Sequence, residues 1–267
     1  MDYSKLHYYV PSLKLEQPSS IAKDVIIYGG TPAGITAAIQ VKKSGLSVAI
    51  VEFSQQIGGM TTSGLGATDL GAEDAIGGLS RTFYQEIAAY YGKEKEWTFE
   101  PKAAQYVFNQ WIKQYDISVY LNQHLEEVVK VDQKITELVM EDGTRYKGNV
   151  FIDCSYEGDV LARSGISYYV GRESNSTYHE IYNGIQFGAP HHKFEKWIDP
   201  YIVEGQPESG LLPGLTEEDK AELGHQGQGD HRIQAYNFRI CLTKDEENRI
   251  PFPKPPQLGW DQPTKVH

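Results

Sequence analysis

The sequence is poor in cysteine, and this scarcity excludes several kinds of metal and redox centre. Only Cys154 and Cys241 occur in 267 residues, and each lies in an apolar or strand-like run. Without a C-x-x-C pair or a cysteine cluster, the chain lacks the ligands of a four-cysteine iron–sulfur cluster or a structural zinc site. Two cysteines also make no disulfide framework, so we interpret both as buried free thiols.

Long apolar runs and an excess of basic residues are absent too. No stretch approaches the ~18 consecutive apolar residues of a transmembrane helix, and the N-terminal segment lacks the apolar core of a signal peptide. We therefore expect a cytoplasmic protein with no membrane partner. The 25 basic residues are outnumbered by 36 acidic ones, and the net charge of −11 argues against a nucleic-acid partner. Hydrophobic residues make up 40% of the chain, which is enough for a substantial core.

The stretch from Asp24 to Gly64 has the pattern of a strand–turn–helix–strand unit. The apolar run Val25–Ile27 predicts a buried strand, which ends at Gly29-Gly30. A helix rich in small residues follows, and a second apolar run, Val48–Val51, ends in Glu52. This order of elements over about 30 residues is typical of dinucleotide-binding units in doubly wound α/β proteins.

The turn before the helix supplies the first candidate cofactor-binding residues, which are Gly29, Gly30, Thr31, Pro32, Ala33 and Gly34. Gly29 permits a sharp turn, Gly34 permits close helix packing, and the helix N-terminus offers N–H groups to a pyrophosphate. Pro32 suits a helix start because its missing N–H is not needed there. Thr31 replaces the second glycine of G-x-G-x-x-G, although Gly30 precedes it. An α/β turn without a ligand is the alternative.

An acidic residue and a second glycine cluster follow at suggestive positions. Glu52 lies 18 residues after Gly34 (52 − 34), close to the ~20 expected for a carboxylate that binds a ribose hydroxyl. An acid there favours a free 2′-OH over a 2′-phosphate. The cluster adds the candidate cofactor-binding residues Gly58, Gly59, Met60 and Thr61. A surface loop rich in Gly, Ser and Thr is its alternative interpretation.

Further periodic segments extend the predicted sheet. We predict helices over Leu79–Tyr91 and Pro101–Tyr115, and strands over Ile117–Leu121, Leu125–Val131, Ile135–Met140, Thr144–Tyr146 and Asn149–Cys154. Glu141-Asp142-Gly143 predicts a hairpin turn. The last strand is expected beside the first, on the side away from the second, so Ser155, Gly158 and Asp159 become candidate cofactor-binding residues. The equally favoured alternative to a cofactor contact is that Ser155 or Glu157 caps the next helix.

Five blocks of sequence carry a resemblance to a known family. They are GGTPAGITAA, the VE pair at 51–52, GGMTTSGLGATD at 58–69, IDCSYEGDVLA at 152–162 and GQGDHRIQAYNFRICLT at 227–243. Together they resemble the bacterial FAD-dependent oxidoreductases of the glutathione-reductase-like superfamily, which are related to the heterodisulfide reductase flavoprotein subunit. The resemblance implies FAD as cofactor, with the loop at 66–78 over it. It also implies a Rossmann-like parallel sheet with a small β-meander insertion, followed by part of a β-rich substrate domain.

The expected organisation has four parts: a lead over residues 1–22 with a linker or loop at Pro18–Ser20, an FAD-binding domain over 23–164, a partial β-rich substrate domain over 165–249, and a proline-rich tail over 250–267. In the substrate domain we predict strands over Asn183–Phe187 and Gln234–Leu242. Flavoproteins of this kind return to the FAD domain through a last strand and helix, and no such return follows Leu242. We therefore expect an N-terminal portion of a longer protein, with weakened FAD binding and uncertain activity.

The catalytic candidates are Gln234, Tyr236 and Arg239. Strand alternation places Gln234 and Tyr236 on one face and Arg239 on the other. Arg239 is expected to hold a substrate carboxylate or stabilise negative charge on reduced flavin, and Tyr236 to donate a proton. The adjacent pair His191-His192 points in different directions, so we expect no metal site.

The expected function is hydride transfer between a small-molecule substrate and FAD. Two alternatives stay open: an NAD-dependent dehydrogenase, and a nucleotide-binding module without turnover. In the flavoproteins that the chain resembles, the glycine pair of the cluster at 58–64 lies along the cofactor, so the resemblance favours FAD over NAD. The sequence pattern indicates no particular oligomeric state.

Overall fold

The computed structural model describes residues 13–188, 198–212, 215, 224–233 and 242–251 of the chain. Its strands and helices in chain order are β1 (Ser20–Ala22), β2 (Val25–Tyr28), α1 (Pro32–Lys43), β3 (Val48–Val51), α2 (Gly78–Tyr90), α3 (Pro101–Gln114), β4 (Ser118–Tyr120), β5 (Leu125–Val131), β6 (Lys134–Met140), β7 (Arg145–Lys147), β8 (Val150–Asp153), α4 (Asp159–Arg163) and α5 (Asn175–Tyr178). Short 3-10 helices cover Gly59–Thr62, Glu73–Ala75 and Pro207–Ser209.

A four-stranded parallel sheet with the order β4-β3-β2-β8 forms the centre of the fold. Every residue of β2 and β3 is buried, because both strands are continuous runs of apolar and aromatic residues. Such runs are typical of parallel strands that are covered on both faces. The predicted α/β class is therefore confirmed. So is the placement of β8 beside β2, on the side away from β3.

Three helices cover one face of this sheet and confirm the predicted helical segments. Ile27 and Ile50 from the strands share a core cluster with Ile39 of α1 and with Phe83 and Phe108 of α2 and α3. The rings of Phe83 and Phe108 are stacked with their centroids 4.8 Å apart. Burial of each such side chain stabilises the fold by about 1.5–3 kcal/mol. Every helix among the described residues is too short or too polar to cross a membrane.

The opposite face is covered by the predicted β-meander, in which β5, β6 and β7 pair antiparallel. Leu138 and Tyr146 of the meander pack with Ile26 and Val51 of the parallel sheet. The hairpin between β6 and β7 is confirmed at Gly143, which has a φ of 90° and donates its N–H to Met140 O at 2.9 Å.

One strand of this second sheet was not predicted. The segment Ser20–Ala22, whose first residue the sequence placed in a linker, forms β1 and pairs parallel with Arg145–Lys147. Its three residues carry too short a pattern to reveal a strand, and its partner lies more than 120 residues later in the chain. The linker interpretation of Ser20 is therefore wrong.

The described residues divide into two units, one formed by residues up to 166 with 242–251, the other by those between 167 and 237. In the second unit, Arg172 and Asp230 exchange two backbone hydrogen bonds of 2.8 and 2.9 Å, and their side chains form an ion pair. Residues 183–187 form bends and irregular backbone, so the predicted strand is wrong there. Gly184 has a φ of 73°, which interrupts an extended backbone. The predicted strand Gln234–Leu242 falls outside the described residues except at Leu242, so the β-rich domain stays a prediction.

Candidate functional site

The carboxyl ends of β2, β3 and β8 meet at one edge of the parallel sheet. The chain runs from β2 outward to β3 and β4, and it returns to the other side of β2 with β8. Strand order therefore reverses between β2 and β8. Ligands of open α/β sheets bind in the crevice outside the carboxyl ends of the strands at such a reversal. The predicted residues after these three strands are thus brought together.

The turn after β2 is packed more closely than any residue with a side chain would allow. Gly29 has a φ of 106°, and a Cβ there would lie 2.5 Å from the carbonyl carbon of Cys154. A Cβ on Gly34 would lie 2.0 Å from the carbonyl oxygen of Gly29. These contacts require glycine at both positions and bring the start of α1 directly against the end of β2.

Helix α1 begins at this edge with its N-terminus capped by Thr31. The Thr31 hydroxyl accepts a hydrogen bond from Gly34 N at 3.3 Å and donates one to Cys154 O at 2.9 Å. Pro32 occupies the first helical position, and Ala33 beside it is exposed. The first turn of a helix has N–H groups without intrahelical partners, and its dipole favours negative charge. A small exposed residue at this point leaves room for a phosphate.

Glu52 follows β3 and lies against the glycine turn. Glu52 is 4% exposed, and its carboxylate accepts hydrogen bonds from Gly30 N at 2.5 Å and from Ser54 N at 2.8 Å. Each bond occupies a different carboxylate oxygen. An ionised carboxylate has about four acceptor positions, so two remain for hydroxyl groups of a ligand. The two backbone donors fix the orientation in which these positions are offered.

The second glycine cluster forms a 3-10 turn close to the first. Gly58 has a φ of 95°, and its N–H donates to Gly30 O at 2.6 Å. Gly59 lies against the loop after β8, where a Cβ would approach the Tyr156 hydroxyl oxygen to 2.2 Å. That hydroxyl accepts a hydrogen bond from Met60 N at 2.8 Å. The cluster therefore lies beside the glycine turn after β2, and the 51% exposed Met60 is accessible to a ligand.

Sequence reasoning did not single out Tyr156, which joins two loops of the site. It is 52% exposed and belongs to the same SYEGD segment as Ser155, Gly158 and Asp159. The sequence signal that could have identified Tyr156 is its position as an aromatic residue in this segment, which already held three candidate cofactor-binding residues. A contact over 96 residues of sequence is not visible in a local pattern.

The turn after β8 is held by its own side chains. Asp153 accepts hydrogen bonds from Ser155 Oγ at 2.6 Å and from Leu161 N at 2.9 Å. Ser155 Oγ in turn accepts from Asp159 N at 2.9 Å, and Gly158 turns the chain with a φ of 70°. This geometry supports the capping alternative for Ser155. A cofactor contact by Ser155, Gly158 or Asp159 stays a prediction.

Two titratable groups at this edge are shifted by burial. Burial raises the pKa of Tyr28 to about 12, and the negative charges of Asp159 and Glu52 contribute. Burial also raises the pKa of the Cys154 thiol, with a further contribution from the charge of Asp153. Both groups are therefore held in their neutral forms at neutral pH.

The predicted catalytic residues are not among those that the structure describes. Gln234, Tyr236 and Arg239 lie outside the described residues, as do His191, His192 and Cys241. Among the residues that the structure describes, no group of three His, Cys, Asp or Glu side chains is arranged to hold a metal ion.

Comparisons with known proteins relate the chain to flavoproteins. A family model described as FAD dependent oxidoreductase matches residues 24–265. No curated protein matches the chain. Among solved structures, the chain is similar to L-proline dehydrogenase from P. horikoshii, with 12% identity, a TM-score of 0.43 and 59% of each chain covered. It is also similar to bacillithiol disulfide reductase from Staphylococcus aureus, with 19% identity, a TM-score of 0.38, and 51% of this chain and 38% of that chain covered.

A third similar structure is a geranylgeranyl bacteriochlorophyll reductase-like protein from Thermoplasma acidophilum. The identity is 18%, the TM-score is 0.41, and the match covers 56% of this chain and 43% of that chain. The chain thus spans between 38% and 59% of the length of these three structures.

Proposed function

The chain belongs to the family of FAD-dependent oxidoreductases, and from this premise we propose that it transfers a hydride between a small organic substrate and FAD. FAD is the cofactor of this family. When bound, it supplies a flavin ring that accepts or donates the hydride. What the chain itself supplies is a site that binds and orients the two ends of the dinucleotide.

The residues at the sheet edge fit the adenosine diphosphate part of FAD. The observation that carries the proposal is the position of the Glu52 carboxylate, 2.5 Å from Gly30 N and beside the N-terminus of α1. We assign the free acceptor positions of Glu52 to the ribose hydroxyls and the helix N-terminus to the pyrophosphate. A negative carboxylate and a positive helix end at one crevice match a ribose followed by phosphates.

We place the flavin side of the cofactor along the Gly58–Thr61 turn. This turn is bonded to the glycine turn after β2 through Gly58 N and Gly30 O. It is also bonded to the loop after β8 through Met60 N and the Tyr156 hydroxyl. Glycine is required at Gly58 and Gly59 because Thr62 and Tyr156 occupy the space that side chains there would need, and the exposed Met60 beside them is accessible to a ligand. The similarity of this turn and of residues 152–162 to glutathione-reductase-like flavoproteins supports the same placement.

The proposal is tested by loading the purified chain with FAD, removing free FAD by dialysis, and titrating the complex anaerobically. Candidate substrates are hydroxy acids, amines and thiols, and the readout is bleaching of the visible flavin band. We expect retained flavin and bleaching by one substrate class. NAD⁺ in excess should not displace the flavin. Retained flavin that none of these donors reduces would favour a nucleotide-binding module without turnover.

A further inference from the structure

The turn between β4 and β5 connects the parallel sheet to the meander and touches the segment that carries Glu52. Asn122 in this turn has a φ of 57°, a conformation that non-glycine residues adopt rarely. Its N–H donates to Ser54 O at 3.0 Å, and the N–H of Gln123 donates to Glu52 O at 2.9 Å. Two consecutive peptide groups of the turn therefore hold the backbone on both sides of Phe53.

The side chain of Gln123 anchors this turn to the meander. Its Oε1 accepts a hydrogen bond from the hydroxyl of Tyr146 at 2.9 Å, and its Nε2 donates to Asp142 Oδ2 at 3.2 Å. The carbonyl oxygen of Gln123 also accepts from the hydroxyl of Tyr28 at 3.2 Å. Tyr146 is 1% exposed, so loss of the glutamine would leave its hydroxyl without an acceptor in a buried place.

We propose that Gln123 is a positioning residue for nucleotide binding, which acts through Glu52 and does not touch the nucleotide. The Ser54 N–H donates to Glu52 Oε1 at 2.8 Å, so the orientation of the carboxylate depends on where the Ser54 peptide lies. The Phe53–Ser54 peptide that carries this N–H lies between the carbonyl groups of Glu52 and Ser54, which accept hydrogen bonds from Gln123 N and Asn122 N. The side chain of Gln123 also donates to Asn122 O at 3.5 Å. The inference rests on the proposed function, because it requires Glu52 to bind the ribose. Supporting residues of this kind set the precision of a binding site.

A double-mutant cycle separates positioning from general stability. FAD affinity is measured by flavin fluorescence for the wild type, Gln123→Ala, Glu52→Gln and the double variant. We expect Gln123→Ala to weaken FAD binding about tenfold in the wild type and less than about twofold in the Glu52→Gln background, because residues of one network are not additive. The control Val128→Ala removes buried methyl groups from the same meander. It should lower the melting temperature and leave FAD affinity within about twofold.

Tyr146→Phe provides a second, milder variant in case Gln123→Ala does not fold. It keeps the buried ring and removes only the hydroxyl that donates to Gln123. We expect about threefold weaker FAD binding, again only when Glu52 is present. Equal losses in both backgrounds would show that Gln123 acts only through stability and would overturn the inference alone. A wild type that does not bind FAD, or a Glu52→Gln variant that binds it normally, would overturn the proposed site and the inference with it.

Discussion

Two turns leave the same edge of the parallel sheet, one after β2 and one after β8, and they are stabilised in different ways. In the first, backbone packs directly on backbone, since a Cβ on Gly34 would lie 2.0 Å from Gly29 O. In the second, the side chains of Asp153 and Ser155 occupy the N–H groups of the turn and of the start of α4. The close packing of the first turn requires glycines, whereas the second turn is held by hydrogen bonds from its own side chains.

This difference bears on which of the two turns binds the nucleotide and which supports the structure around it. A turn whose N–H groups are already bonded to its own side chains has few donors left for a ligand. In the glycine turn the N–H groups of Gly30 and Gly34 are also bonded, to Glu52 and Thr31, but the exposed Ala33 leaves the start of α1 open to a ligand. Glu52 lies beside it with unused acceptor positions. The comparison favours the first turn as the nucleotide-binding element and the second as its structural neighbour.

The largest effect is expected from Gly34→Val. The added side chain meets the backbone oxygen of Gly29, which has no rotamer by which to move away, so the β2–α1 contact must open. We expect a loss of stability above the roughly 1–3 kcal/mol of ordinary overpacking, together with loss of FAD binding. Thermal unfolding measures the first effect. The control Gly71→Val, at a glycine whose Cβ would meet nothing within 4 Å, should unfold like the wild type.

Alkaline pH should lower the free energy of unfolding through Tyr28, the residue before the first turn. Tyr28 directly precedes Gly29, and burial raises its pKa to about 12, so the folded protein holds the phenolic proton more tightly than the unfolded chain. This contribution is complete below pH ~10 and is lost as the pH rises towards ~12, which amounts to about 2–3 kcal/mol. Urea unfolding across this pH range measures it. If Tyr28→Phe loses as much stability on alkalinisation as the wild type, the assignment to Tyr28 is wrong.

Glu52→Gln should weaken FAD binding by about 1–3 kcal/mol, which is roughly 5- to 150-fold in the dissociation constant. The amide presents an NH₂ group to either Gly30 N or Ser54 N, and it offers the ribose fewer acceptor positions. Titration of flavin fluorescence measures the change. Glu126→Gln, on the exposed side of β5, is the matched control and should bind FAD as the wild type does. Equal affinities of the two variants would count against Glu52.

Ser155→Ala should give the smallest effect and should act on stability. It removes an acceptor of the Asp159 N–H at the start of α4, and loss of such a cap costs about 0.5–2 kcal/mol. If Ser155 serves only as a cap, FAD affinity should change little. A loss of FAD affinity as large as that of Glu52→Gln, with unchanged stability, would place Ser155 in contact with the cofactor.

Local sequence patterns predicted those parts of the fold that depend on local burial. The apolar runs of β2 and β3 and the amphipathic face of α3 each repeat over a full element, so their burial follows from composition. Glu141-Asp142-Gly143 specified its turn, since Gly143 adopts a positive φ. The roles of Gly29 and Gly34 in the turn and in helix packing were also predicted from a local pattern, because their backbone positions tolerate no side chain.

Contacts between distant segments were not predictable in the same way. Strand β1 is defined by its pairing with β7. The irregular segment at 183–187 is held through Ile185, which donates a hydrogen bond to Gln228 O and accepts one from Gly227 N. Likewise, the role of Gln123 depends on Tyr146 and on Glu52, which lie in other elements. Nothing in the residues around Gln123 marks it, because a glutamine in a short polar turn is ordinary.

The central claim is that the first turn and Glu52 bind the adenosine diphosphate part of FAD. The most direct test compares the affinities of the folded chain for FAD and for FMN, which carries the flavin without the adenosine. The account predicts that FAD binds at least about tenfold more tightly, a difference of about 1.4 kcal/mol or more. Equal affinities for FAD and FMN, or no binding of FAD by folded protein, would contradict it.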